Sequence, residues 1–270
     1  MWNDLMAIDF IIDYACIPKQ TLTTEGIIER LKGDERAQAI IAMFRQNGDN
    51  RPPSEMGFEF SRSTPQGEKE KKVIVVQDLL DAAAELKPLE KHCVGCPANR
   101  LGKPFGCMGF VQYPISARGE AWLLNQLPVP DEALVWLLLK QGVEEFKYDG
   151  SSLGAMRQAG DAYFEVRGGM SRRLGEFRIT NDQVFEMLFL LGHIQPPHAG
   201  VVLLFFNAVN RDLNADQIMK ISRAPQDAAV RFPFQHQVET DDDRTIIEFK
   251  GFLHALYTAW SLNVRLLLDV

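Results

Sequence analysis

The residues of this chain best suited to chemistry are its four cysteines, and three of them stand close together in sequence. Cys93-Val94-Gly95-Cys96 has the two-residue spacing of a metal knuckle, and Cys107 follows in Phe105-Gly106-Cys107-Met108-Gly109. A loop this tight can present two thiolates to one ion while its backbone amides donate to the sulfurs. A closed zinc site or an iron–sulfur cluster ordinarily takes four protein ligands, and the local stretch supplies three.

Two residues are candidates for the fourth place. Cys16, in Ala15-Cys16-Ile17-Pro18, is the remaining cysteine. His92 is next to Cys93, and neighbours in sequence seldom face one ion without strain, so Cys16 is preferred and His92 is the alternative. The expected set is therefore Cys16, Cys93, Cys96 and Cys107 around Zn²⁺, with an iron–sulfur cluster as the other cofactor. The Cys96-Pro97 step is a weak pointer toward the cluster. An open coordination place would instead imply catalysis at the metal. Inert core thiols are the competing explanation, since cysteine is often buried. Against it, the stretch from His92 to Gly109 is rich in Gly and Pro and has little apolar bulk with which to pack itself. A redox dithiol fits poorly, because Gly102 and Pro104 would end any helix begun at Pro97.

Other residues offer weaker chemistry. Asp9 and Asp13 share a strand face and could bind a cation. His193 and His198 are separated by Pro196-Pro197 and do not share a helix face. His236 reads as a loop residue and His254 as one on a polar helix face. The turn around Gly168-Gly169 carries Arg167, Arg172 and Arg173 but lacks the spacing of a phosphate loop. Asp241, Asp242 and Asp243 lack the alternate spacing of a calcium loop.

The 270 residues have an ordinary globular composition and a net charge of −7, which disfavours a nucleic-acid binder. The first residues lack the basic and apolar regions of a signal peptide, and no apolar run reaches the length of a membrane span. A cytoplasmic protein with reduced thiols is expected.

The elements that must position the cysteines point to an α+β fold. A strand is expected over Met6–Ala15 and a helix from Glu25 to about Arg45, capped by Thr23 or Thr24 and interrupted at Gly33-Asp34. Met56–Arg62 and Lys71–Val76 read as a hairpin turning at Thr64-Pro65-Gln66-Gly67, before a helix over Gln77–Leu86. Glu120–Leu127 is a short helix, and Pro128-Val129-Pro130 marks a boundary. Residues 1–127 would then form a small mixed sheet packed on helices, with the cysteine loop at 92–109. Residues 128–270 would form a more helical part, or continue the same domain.

In that second part a helix is expected from Asp131 to about Phe146, and Ala162–Val166 is expected to pair with Glu176–Ile179 around Gly168-Gly169. Thr180-Asn181-Asp182 caps an apolar helix over Val184–Leu191, with Gly192 at its end. A helix apolar on every side is buried in a core, or meets a protein partner or a second copy of the chain. Val201–Val209 is ambiguous between helix and strand. Ile246–Leu262 reads as a helix with Lys250 and His254 away from its apolar stripe, and Val264–Val270 as a buried strand. The functions compatible with this reading are a metal-stabilised binding or scaffold protein, an iron–sulfur or open-site zinc enzyme or electron carrier, and an assembly subunit with inert thiols.

Overall fold

The computed structural model describes residues 7–63, 69–159, 162–222 and 227–269, and the fold is mixed α+β with antiparallel sheets. The chain divides into two compact units. The larger comprises residues 1–14, 97–101 and 106–270, and the smaller residues 15–96 and 102–105. Pro128–Pro130 falls inside the larger unit.

In the larger unit a four-stranded sheet has the order β4-β1-β8-β7, from β1 (Ala7–Ile12), β4 (Met108–Gln112), β7 (His193–Ile194) and β8 (Leu266–Asp269). The central strand β1 aligns Phe10 with Gly109 on one side and with Leu268 on the other. Gly109 is required there: a Cβ would lie 2.4 Å from the Phe10 ring. The long helix α11 (Arg244–Ser261) packs on this sheet, with Asp243 accepting from Ile246 N–H as its N-cap. Around it cluster the rings of Phe10, Phe185, Phe189, Phe249 and Phe252. Trp260 is fully buried, and its indole N–H donates to the Ile221 carbonyl.

The remaining helices of this unit are α4 (Ala117–Gln126), α5 (Ala133–Glu145), α6 (Gly154–Gln158), α7 (Asn181–Phe189), α8 (Pro196–Phe205), α9 (Ala215–Ile221) and α10 (Ala228–Arg231). Thr180 and Gln183 close a capping box at the start of α7. Val184, Phe185, Met187, Leu188 and Phe189 of that helix lie in the chain's own core. Of the ambiguous stretch Val201–Val209, the residues up to Phe205 are helical, in α8, and 206–209 form a turn.

The expected pairing of 162–166 with 176–179 is not formed. β5 (Ser171–Leu174) pairs with β6 (Phe177–Thr180) through a turn at Gly175, and Phe164 makes an isolated bridge to Ile115. The tighter turn closes a four-residue hairpin locally, while Phe164 is drawn into the core against Phe185. Lys250 and His254 also depart from expectation. Lys250 is buried and donates to Gln237 O and Asp242 Oδ2, and the His254 ring stacks on Phe234.

In the smaller unit, α1 (Ile17–Leu22) precedes α2 (Thr24–Gln46), whose N-cap Thr23 accepts from Gly26 N–H at 3.1 Å. The expected break at Gly33-Asp34 is absent. Gly33 stays helical because it is where α2 meets Leu79 of α3 (Val76–Ala84). A hairpin of β2 (Gly57–Ser63) and β3 (Lys69–Val75) leads into α3, and its expected turn, 64–67, lies outside the described residues. One core cluster here joins Ala37, Ile40, Met56 and Val76, flanked by partly buried Ile41, Phe44, Phe58, Leu79 and Leu80, and Ile27, Leu86 and Phe105 of this unit are also buried.

Candidate metal centre

The cysteine region is built from short segments rather than long elements. A 3₁₀ segment, Lys87–Cys93, follows α3 and ends on Cys93. Its packing partner is α1, whose N-cap is Cys16. The Cys16 backbone is extended (φ −152°, ψ 163°), and its side chain makes no capping hydrogen bond, so the thiol is not used by its own helix. The turn after Cys93 is closed by Cys96 N–H donating to Cys93 O at 3.3 Å. Gly95, at φ 72° with open space around it, supplies the left-handed step that this turn needs.

Cys93 is the centre of the arrangement. Its Sγ accepts from Phe105 N–H at 3.3 Å, the amide-to-sulfur bond that a metal-ligating thiolate favours. Phe105 makes that bond from φ 55°, a conformation uncommon for a bulky residue, with its ring buried. Burial pushes the Cys93 thiol up; the Phe105 amide opposes this, and negative charge on Cys16, Cys96 and Glu90 adds to it. Three of the four expected thiols therefore belong to the smaller unit, with Cys16 and Cys96 each close enough to bear on Cys93. His92 belongs to the same 3₁₀ segment.

Cys107 lies in the larger unit. Its carbonyl accepts from Ile12 N–H at 3.1 Å. Arg100, in the same unit, feels its charge, and burial pulls that guanidinium down to about 10. All four cysteines are thiols. Among the described residues, no cysteine belongs to a set of three ligand atoms lying within 4.8 Å of one another. Sulfurs around a single zinc stand about 3.8 Å apart, given a Zn–S bond of about 2.3 Å.

The set that does meet that spacing is Glu239, Asp241 and Asp242. It is the acidic turn before α11, and its charge is already engaged. Asp242 accepts from Lys250 Nζ at 2.6 Å and from Glu239 N–H at 2.8 Å, and Arg118 approaches Asp241.

Of the weaker candidates, Asp13 is held by Arg265 at 2.6 Å and Asp9 is buried in the sheet. His193 and His198 are exposed in separate elements. Arg172 donates to the Leu124 and Asn125 carbonyls at the end of α4, which is a helix-terminus contact and not a phosphate cradle. His236, expected in an isolated loop, accepts or donates at Phe206 O (2.8 Å) and meets the Trp122 ring; burial pushes it down.

Sequence reasoning missed one polar cluster altogether: Glu120, Arg157, Asn181 and Asp182. A signal existed. Glu120 stands at helical spacing with Leu123, Leu124 and Leu127, on the apolar face of α4.

The chain matches no family model, no curated protein and no solved structure. Among the described residues, no helix is long and apolar enough to cross a membrane.

Proposed function

We propose that this protein is a metal-stabilised binding or scaffold protein whose smaller unit carries a thiolate metal centre at Cys16, Cys93 and Cys96. The observation that carries the reading is the arrangement around Cys93. A backbone amide donates to its sulfur, a closed turn brings Cys96 round, and the start of α1 brings Cys16. Three thiolates so placed repel one another, and a bound cation removes that repulsion.

The thin core of this unit supports the same reading. Small units with few buried apolar residues commonly draw stability from a metal. Zn²⁺ is the first expectation for a structural thiolate site. An iron–sulfur cluster, which also takes cysteine thiolates, is the second. The reading assigns the protein to a reducing compartment such as the cytoplasm, where thiols persist.

Elemental analysis and a visible spectrum of anaerobically purified protein test this. Colourless protein with one zinc per chain supports the structural reading. Iron with inorganic sulfide and a brown colour supports the cluster. Metal-free protein with titratable thiols and unchanged stability in chelator overturns both. The fourth ligand is then identified by which of Cys107→Ser and His92→Ala lowers the metal content.

A further inference from the structure

The larger unit contains a buried polar cluster whose hydrogen bonds do not close if every group has its usual charge. Glu120 of α4 and Asn181 at the start of α7 are both 0% exposed. Glu120 Oε1 accepts from Arg157 Nη2 of α6 and from Asn181 Nδ2. Glu120 Oε2 and Asn181 Oδ1 are buried acceptors with no donor among the described residues. Two such atoms on side chains already bonded to each other are costly to leave unsatisfied.

Charge points the same way as hydrogen bonding. Arg157 serves two carboxylates of the cluster, Glu120 and Asp182. Asp182 takes both Nε (2.9 Å) and Nη2 (2.7 Å), while Nη1 donates to Val166 O at 2.9 Å and the guanidinium lies 3.7 Å over the Phe164 ring. Asp182 is partly open to water, at 22% exposed. An ionised Glu120 would leave the enclosed cluster with a net negative charge.

We propose that Glu120 is held as a neutral carboxylic acid whose Oε2–H donates to Asn181 Oδ1, so that one proton latches α4 to α7. The acid then gives one hydrogen bond to the Asn181 amide and accepts one from it, Arg157 Nη2 still donates to Glu120 Oε1, and the ionised partner of the guanidinium is Asp182. Burial is the main force raising the Glu120 carboxyl, opposed by Arg157 and Asn181 and assisted by Asp182.

The elements packed on α4 bring further charges. From β5, Arg172 donates to α4 carbonyls. From α11, Lys250 lies over the Trp122 ring, and Glu248 accepts from Gln112 N–H and sits near Arg244. Before α11, Asp243 holds Ser116 Oγ, and Asp241 faces Arg118.

The direction of the pH effect follows. The native state holds a proton that the unfolded chain releases near the ordinary glutamate value of about 4.3. The latch is fully present below that value and is lost as pH rises through the native value.

Glu120→Gln replaces the acid's O–H with an N–H and imitates the protonated state. The variant should match the parent's melting temperature on the acid side and exceed it on the alkaline side, where the parent has lost its proton. A variant less stable than the parent at every pH, with an unchanged pH slope, means that Glu120 is ionised and overturns the latch. If the variant does not fold, the infrared spectrum of the parent protein decides. A deuterium-sensitive carboxylic-acid carbonyl band persisting at neutral pH and fading on alkaline titration, as the melting temperature falls, supports the proposal. Absence of that band refutes it.

Discussion

The two units are stabilised in opposite ways. The larger encloses stacked and edge-on rings, from Phe10 through Phe185, Phe189, Phe249 and Phe252 to Trp260. Among the described residues, the smaller unit has no fully buried aromatic ring, and its largest enclosed side chains are Ile27 and Ile40. Yet the smaller unit holds three of the four thiols and a buried phenylalanine in a left-handed conformation. Left-handed non-glycine residues occur in both units, at Lys147, Asn207 and Asn263 in the larger and at Thr23 and Phe105 in the smaller. At Phe105 the unfavourable φ aims an amide at a sulfur.

Removing a ligand should break this contrast most sharply. If the metal is structural, Cys96→Ser lowers the stability of the smaller unit by at least several kcal/mol and reduces metal content. Hydrogen exchange checks this: protection should fall across 15–96 and hold in α11. An unchanged melting temperature with unchanged metal would remove the centre from the account.

The reciprocal experiment is Trp260→Ala. It deletes the largest enclosed ring and orphans the Ile221 carbonyl, so about 3–5 kcal/mol should be lost in urea unfolding with metal content unaffected.

Gly95→Ala sharpens the comparison within the cysteine turn. Open space surrounds the position, so its cost is that of the left-handed backbone, about 1–2 kcal/mol, seen as a lower midpoint. A larger loss together with metal release would tie the turn geometry to binding. The smallest effect belongs to Arg30→Ala. It removes a two-pronged contact to Glu85 whose carboxylate is 54% exposed, so a double-mutant cycle should return no more than about 1 kcal/mol.

Local signals were legible in the sequence. Thr23 and Thr180 cap the helices that their positions announced, and the alternation after Met56 does form a hairpin. Long-range choices were not. Nothing in 162–166 says that Phe164 would leave a hairpin for the aromatic core, because the partner that wins it, Phe185, lies far along the chain. Lys250 was read as lying away from the apolar stripe, although Ile246 and Leu253 share its helix face and Asp242 receives its ammonium group. Glu120 escaped notice for the same reason. A charge on an apolar stripe is informative, and pattern reading discounts it. For the candidate centre, spacing identified Cys93 and Cys96. The approach of Cys16 depends on α1, a helix whose Pro18 start was not read as one.

The placement of β1 between β4 and β8 also sets an order of events. Its register joins Asp9 to Asp269 and Ile12 to Leu266, contacts separated by most of the chain. Closing so large a loop is entropically expensive and slow, whereas the hairpin and helix pair of the smaller unit involve near neighbours in sequence. During synthesis the smaller unit can therefore take shape while β1 still lacks β8. Until β8 arrives, the exposed edge of β1 is the surface of the nascent chain most open to pairing with the wrong strand.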